Sequence, residues 1–153
     1  MSRITTRPAV SDDLPAVVEM AHGLAAFHGD AATLTVETLT RDALGAPPWI
    51  TLLVAEAKGG LIGYAALCPL VQVQYGVRGM DMHHLFVRAE ARGTGAGHAL
   101  IAASAQVSKA QGCRYLAVGT HPDNTAAQEF YERAGFSRTT GGPRFRLKLD
   151  EAN

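Results

Sequence analysis

The stretch that most constrains this chain runs from position 80 to position 110. An apolar, strand-like segment (80–87) enters and a helix-like segment (99–110) leaves. Between them lie Arg92 and three glycines on alternate positions, Gly93, Gly95 and Gly97. Glycine tolerates positive φ and lets a ligand approach the backbone. A helix that starts in such a loop presents unpaired N–H groups and the positive end of its dipole, which favours an anion. The local expectation is a phosphate or pyrophosphate cradle. The second glycine is not followed by the Gly-Lys-Ser/Thr of a nucleotide P-loop. The dinucleotide fingerprint also fails, because its last small position holds Leu100 or His98 depending on register. A plain glycine-containing strand-to-helix turn is the alternative.

A chain of 153 residues, 47% hydrophobic and 18% charged, is sized and composed for one folded domain over positions 1–153. Lys+Arg and Asp+Glu balance at 14 each, which gives no field to draw in nucleic acid or an anionic membrane. No apolar run reaches the length of a membrane span, and the first residues lack the apolar stretch of a signal peptide, so the expected location is cytoplasmic. Cys68 and Cys113 have no metal-ligand spacing and sit in apolar surroundings, so they read as small core residues and no metal is expected.

Along the chain, positions 2–10 read as a first strand broken at Pro8. Ser11-Asp12-Asp13 reads as a helix start, with Pro15 tolerated in the first turn. Leu14, Val17, Val18, Ala21, Leu24 and Ala25 recur at helical spacing up to Gly29. Thr35 opens a second helix through Leu44. Positions 49–57 and 61–73 read as two strands joined by a Lys58-Gly59-Gly60 turn, and 76–79 as a loop. After 80–87 and the helix come a strand at 114–119, a short helix at 124–134 closed by Gly135, and strands at 136–140 and 145–149. This order implies an α/β (α+β) fold around one mixed sheet.

A second motif lies at Asn124, with Phe130-Tyr131 six residues on and Gly135-Phe136 closing it. Together, Arg92-x-x-Gly95-x-Gly97 and this Asn…Phe-Tyr-x-x-x-Gly-Phe pattern resemble the two signatures of the GNAT superfamily of N-acetyltransferases, and the element order is similar over nearly the whole chain. The layout is most similar to the spermidine/spermine and thialysine N-acetyltransferase branch. The matching features are Thr38-Leu39-x-x-Asp42-Ala43-Leu44-Gly45, Leu53-Val54-Ala55-Glu56, Ile62-Gly63-Tyr64-Ala65, Leu85-Phe86-Val87 and Arg146-Leu147-Lys148-Leu149. The resemblance implies a single GNAT-type domain. Its central, mostly antiparallel mixed sheet would be flanked by helices, with a V-shaped splay between the fourth and fifth strands.

The resemblance also implies acetyl-CoA as cosubstrate and assigns roles. Backbone groups of Arg92, Gly93, Thr94, Gly95, Ala96 and Gly97, with His98 at the helix start, would hold the pyrophosphate. Leu85, Phe86 and Val87 would pair with the pantetheine arm, and the Val87 N–H would polarise the thioester carbonyl. Tyr131 stands where the family's general acid stands, against the alternative of an aromatic filler. Asn124 would bond the pantetheine arm or cap its helix.

For the base, the branch's Glu-Asp is replaced by His83-His84. Alternation along a strand sends the two rings to opposite faces, and alignment with the family glutamate selects His83, an imidazole being a side chain that can serve as base near neutral pH. A pair of hydrogen-bonded strand histidines is the alternative. Phe27, His28, Tyr75 and His83 are the candidate acceptor pocket. Where the branch has Tyr-Glu and Ser-Thr-Trp, this chain has Phe27-His28 and Val73-Gln74-Tyr75. A polycation would lack the carboxylates that offset its desolvation there. The expected activity is acetyl transfer to a primary amine of a small molecule, by direct attack in a ternary complex. A protein N-terminal or lysine acetyltransferase and a non-catalytic acyl-CoA sensor are the alternatives. A homodimer is expected from the branch resembled.

Overall fold

A computed structural model describes residues 3–27, 29–141 and 143–149 of the chain. They form two compact units, Met1–Gly119 and Thr120–Asn153.

In the first unit the apolar runs pair in sequence order. Strands β1 (Thr5–Pro8), β2 (Thr51–Ala57), β3 (Gly60–Gln72), β4 (Val77–Val87) and β5 (Cys113–Ala117) make one sheet in the order β1-β2-β3-β4-β5. The first three pairings are antiparallel and β4–β5 is parallel. The parallel pair needs a crossover, which α3 (Ala96–Ala110) supplies. The sheet is therefore mixed, mostly antiparallel and open, the GNAT-type arrangement expected.

Period-two burial divides the strands between two layers. On one face Leu52, Val54, Tyr64 and Ala66 join Leu14, Val17, Met20 and Ala21 of α1 (Leu14–Phe27) and Leu39 of α2 (Val36–Leu44) in one core. Leu53, Ala65, Leu67, Met80 and Met82 alternate with that set and are buried on the other side, where α3 packs against the sheet. Burying a side chain the size of Leu14 or Leu100 contributes about 1.5–3 kcal/mol. The hydroxyls buried with them are satisfied within α3: Ser104 donates to the Leu100 carbonyl and Ser108 to that of Ser104, both at 2.7 Å. Both cysteines are free and half-buried.

Several element ends differ from the sequence expectation. Residues Ser11–Asp13 form a 3-10 turn ahead of α1, and the closing side chain is Asp13, which accepts from the Val10 N–H at 2.7 Å. Thr35 caps α2 as expected, accepting from the Thr38 N–H at 3.1 Å. The 76–79 segment is not a loop, since β3 and β4 stay paired out to Gln72↔Val77 and turn through Val73–Tyr75. Helix α3 begins at Ala96, so Gly97 and His98 lie in its first turn. In the second unit α4 (Thr125–Arg133) forms, but residues 136–141 and 143–149 carry no regular secondary structure, so the two expected last strands are absent there. Alternation of Phe145, Leu147 and Leu149 with basic residues sets the right period. A strand also needs a partner for its N–H and C=O groups, and all three apolar side chains are exposed.

Candidate active site

The site begins where β5 stops. The β4–β5 ladder runs Arg78↔Cys113, Gly79↔Tyr115, Met80↔Leu116, Asp81↔Ala117 and ends, although β4 continues to Val87. Among the described residues, 82–87 pair with β3 alone. The Arg88 N–H donates to the Ile62 carbonyl on β3 at 2.8 Å. Alternation then turns the N–H and C=O of Leu85 and Val87 away from β3, to the side that β5 has left. This is the expected splay. It offers main-chain donors and acceptors to an extended, amide-bearing ligand.

That edge leads into the glycine loop. The 3-10 turn Ala89–Ala91 is closed by the Arg92 N–H, which donates to the Ala89 carbonyl at 3.3 Å. Arg92 Nε donates to the Val87 carbonyl at 3.2 Å and the Thr94 hydroxyl to the Ala91 carbonyl, so both side chains shape the loop. Gly93 and Gly95 have φ of 77° and 93°, the left-handed region that other residues enter at a cost. A Cβ built on either would meet nothing within 4 Å. Gly95 precedes α3 and offers no side chain to cap the helix. The first-turn N–H groups of α3 therefore have no side-chain cap at Gly95.

On β4 the histidines depart from expectation. The register passes from Leu67↔Met82 to Ala66↔His84, so His83 is the extra residue of a β-bulge. The two rings do not lie on opposite faces. They stack, with centroids 4.6 Å apart and planes at 12°. The bulge cancels the alternation on which that expectation rested. His83 is exposed and His84 half-buried. His84 Nδ1 lies 2.9 Å from the phenol oxygen of Tyr64, a residue only 1% exposed. Burial pushes the Tyr64 phenol well above its ordinary pKa, so it stays protonated. Tyr64 and His84 were not among the expected site residues. A hydroxyl inside an otherwise apolar buried strand was the signal for the first, but a partner on the next strand is invisible in the sequence.

Arg88 anchors this end of the sheet. Its Nε donates to the Leu61 carbonyl at 2.9 Å, and its guanidinium pairs with Glu19 of α1, also at 2.9 Å. Phe27, at the end of α1, is 74% exposed, and Tyr75, in the turn between β3 and β4, is 71% exposed. His28 lies outside the described residues.

In the second unit Asn124 caps α4, its Oδ1 accepting from the Ala127 N–H at 3.1 Å. Tyr131 meets Phe130 and Phe136 edge to face at 5.5 and 5.6 Å. Burial raises the Tyr131 pKa, which keeps a transferable proton on the phenol near neutral pH. Among the described residues, no cluster of three or more His, Cys, Asp or Glu could hold a metal ion, and no helix is long and apolar enough to cross a membrane.

Residues 20–136 match the profile of the acetyltransferase (GNAT) family. The uncharacterised N-acetyltransferase YhfO of Bacillus subtilis (strain 168) is 32% identical over 90 residues, covering 59% of this chain and 60% of that protein. Mycothiol acetyltransferase of Sanguibacter keddieii is 34% identical over 119 residues, covering 75% of this chain and 37% of that protein. The matched region thus spans at most 60% of the length of either relative. An aminoglycoside acetyltransferase from an uncultured soil metagenomic sample, solved with trehalose, has a TM-score of 0.77 at 18% identity, covering 96% of this chain and 97% of that one, a likeness of fold. The half-paired fourth strand, its glycine loop and a profile that runs from α1 to just past α4 agree, and the chain belongs to the acetyltransferase (GNAT) family.

Proposed function

We propose that residues 1–153 act as one acetyl-CoA-dependent N-acetyltransferase domain, transferring acetyl to a primary amine of a small molecule by direct attack in a ternary complex. The observation that carries this reading is the β4 edge, paired on one side only over 82–87 and leading into the glycine loop and uncapped start of α3. Its donor set suits coenzyme A, which presents amides along one arm and a pyrophosphate at the other end. Acetyl-CoA supplies the acetyl group as a thioester.

In this proposal Leu85, Phe86 and Val87 align the pantetheine arm, and the Val87 N–H stabilises charge on the thioester oxygen. The N–H groups from Gly93 to His98 hold the pyrophosphate, with Arg92 fixing the loop. His83 takes the proton from the acceptor's ammonium, and the neutral amine attacks the acetyl carbon. As the C–S bond breaks, Tyr131 gives its proton to the departing sulfur. Asn124 caps α4 and orients the segment that carries Tyr131. Phe27, His28, Tyr75 and His83 contact the acceptor.

The layout likeness to the spermidine/spermine branch supports a small primary amine. The carboxylates missing from Phe27-His28 and Val73-Gln74-Tyr75 favour an amine less charged than a polyamine. Two of the matched proteins, named for mycothiol and aminoglycosides, point to small-molecule acceptors as well. A cytoplasmic homodimer completes the proposal, and sedimentation equilibrium decides its oligomeric part.

The test is thiol release from acetyl-CoA against polyamines, diamines, amino acids, aminoglycosides and N-terminal peptides. Turnover with a small amine supports the proposal. Turnover with peptides alone moves it to a protein acetyltransferase. Calorimetric binding of acetyl-CoA without turnover moves it to a sensor, and no binding removes it.

A further inference from the structure

The β4 bulge sets His83 beside His84, two side chains that a regular strand would separate, and His84 in turn meets Tyr64 of β3, so the hydrogens of the three can be counted. Among the described residues, the one hydrogen bond of the Tyr64 phenol is to His84 Nδ1, at 2.9 Å. A buried O–H without an acceptor is costly, and at 1% exposure the phenol has no water to turn to. Tyr64 therefore donates, and His84 Nδ1 accepts with its lone pair. A neutral imidazole carries one hydrogen, so that of His84 sits on Nε2. In this state His84 offers a donor and has no nitrogen left to take a proton.

His83 lies against that fixed ring, stacked at 4.6 Å and nearly parallel. It is exposed, and the stack is the contact that orients it. Two imidazolium rings at this separation would repel, and a proton added at His84 Nδ1 would break its bond to Tyr64. With the His84 lone pair engaged by Tyr64, His83 is the ring of the two whose acceptor nitrogen is not taken up by that bond. A protonated His83 would rest on the face of a neutral ring, a favourable arrangement for a cation.

The geometry points to a division of labour: Tyr64 is a positioning residue that holds His84 as a neutral Nε2–H donor, and His84 in turn presents His83 as the group that deprotonates the acceptor amine. The second half rests on the acetyltransferase reading above, and the first half does not. The proton balance is simple. One N–H bond of the acceptor ammonium breaks, the proton bonds to the unprotonated nitrogen of His83, and water receives it after product leaves.

The test reads the two halves separately. Long-range 15N–1H correlation of the labelled protein at neutral pH, without acetyl-CoA or amine, reports which nitrogen of His84 bears hydrogen. The expected spectrum has Nε2 protonated and Nδ1 as a hydrogen-bonded acceptor. Tyr64→Phe, checked for folding by its melting curve, should remove the hydrogen-bonded acceptor signature at His84 Nδ1. With an amine that the wild type turns over, Tyr64→Phe should lower kcat about tenfold, less than the roughly 100-fold that outright loss of an acid–base group costs, and leave the KM for acetyl-CoA within about twofold. A wild-type His84 protonated on Nδ1 overturns the proposal. So does a folded Tyr64→Phe variant whose spectrum and kcat both match the wild type. An intact Nε2–H tautomer in a protein that binds acetyl-CoA and acetylates nothing overturns the acetyltransferase reading and the role given to His83, and leaves the Tyr64–His84 lock standing.

Discussion

Strand β4 is two different objects along one length. Its first half, up to Asp81, has a hydrogen-bonded neighbour on each side, a buried methionine at 80, and the Tyr115 ring lying over Gly79. Its second half, 82–87, has a neighbour on one side, a bulge at His83 and, beyond the buried Met82, side chains that are half-buried or exposed. The first half is completed by this protein. The second has an open edge, an arrangement that proteins usually avoid because an open edge recruits strands indiscriminately. Here the bulge twists the edge, and in the proposed function the loop that follows would select for an anion. In that reading specificity comes from what surrounds the open edge, while its backbone supplies generic pairing.

The largest expected effect strikes the closed half. A Cβ at position 79 would sit 2.1 Å from Tyr115 Cζ, so Gly79→Val forces the β4–β5 ladder apart. We expect a loss of about 3 kcal/mol of stability in urea denaturation. An unchanged midpoint would show that Tyr115 simply swings away and that the closed half is softer than described. The next effect separates binding at the open half from chemistry. Tyr131→Phe removes the proposed acid and should lower kcat about 100-fold, while calorimetric affinity for acetyl-CoA stays within about twofold. If affinity falls with kcat, Tyr131 packs rather than protonates.

The third prediction concerns the α1 side of the sheet, away from the open edge. Arg7 pairs with Asp13 at 2.7 Å and Glu56 at 3.1 Å. That guanidinium, helped by the Val10 N–H, holds the Asp13 carboxyl below its ordinary pKa. A depressed carboxylate stabilises the fold above its unfolded pKa of about 3.9, and the benefit fades as pH falls through the lower folded value. Stability should therefore decline below about pH 4. Asp13→Asn should cost about 2 kcal/mol at pH 7 and flatten the acid limb, as followed by urea titrations across pH. An acid limb unchanged by the substitution would place the proton uptake elsewhere. The smallest effect falls on the loop. Gly95→Ala must hold φ near 93°, at a cost of about 1–2 kcal/mol, so acetyl-CoA should bind about tenfold more weakly. Equal affinity by calorimetry would mean that the loop relaxes at no cost and that its glycines do not preorganise the site.

Much of the donor side of this site was legible before folding. The glycines between a strand and a helix, Asn124 ahead of α4, and the pattern around Tyr131 are short-range features whose geometry follows from φ preferences and capping. Of the two roles expected for Asn124, the helix cap formed. Features that depend on two distant segments meeting were not legible. Tyr64 lies 20 residues from His84, and nothing within either strand announces the bond. The expected strands at 136–140 and 145–149 failed for a related reason: alternation describes a face, whereas strand formation needs a partner.

By itself, then, the sequence determined the family-defining framework: a turn built from glycine backbone ahead of a helix, the amphipathic elements around it, and the residue types available for acid–base chemistry. These follow from local conformational energy and from the periodicity of burial. Tertiary structure alone decided where β5 ends, which residue of β4 becomes the bulge, and that His83 and His84 stack rather than diverge. Each of these depends on register between strands, which the packing of whole faces sets and no single segment encodes.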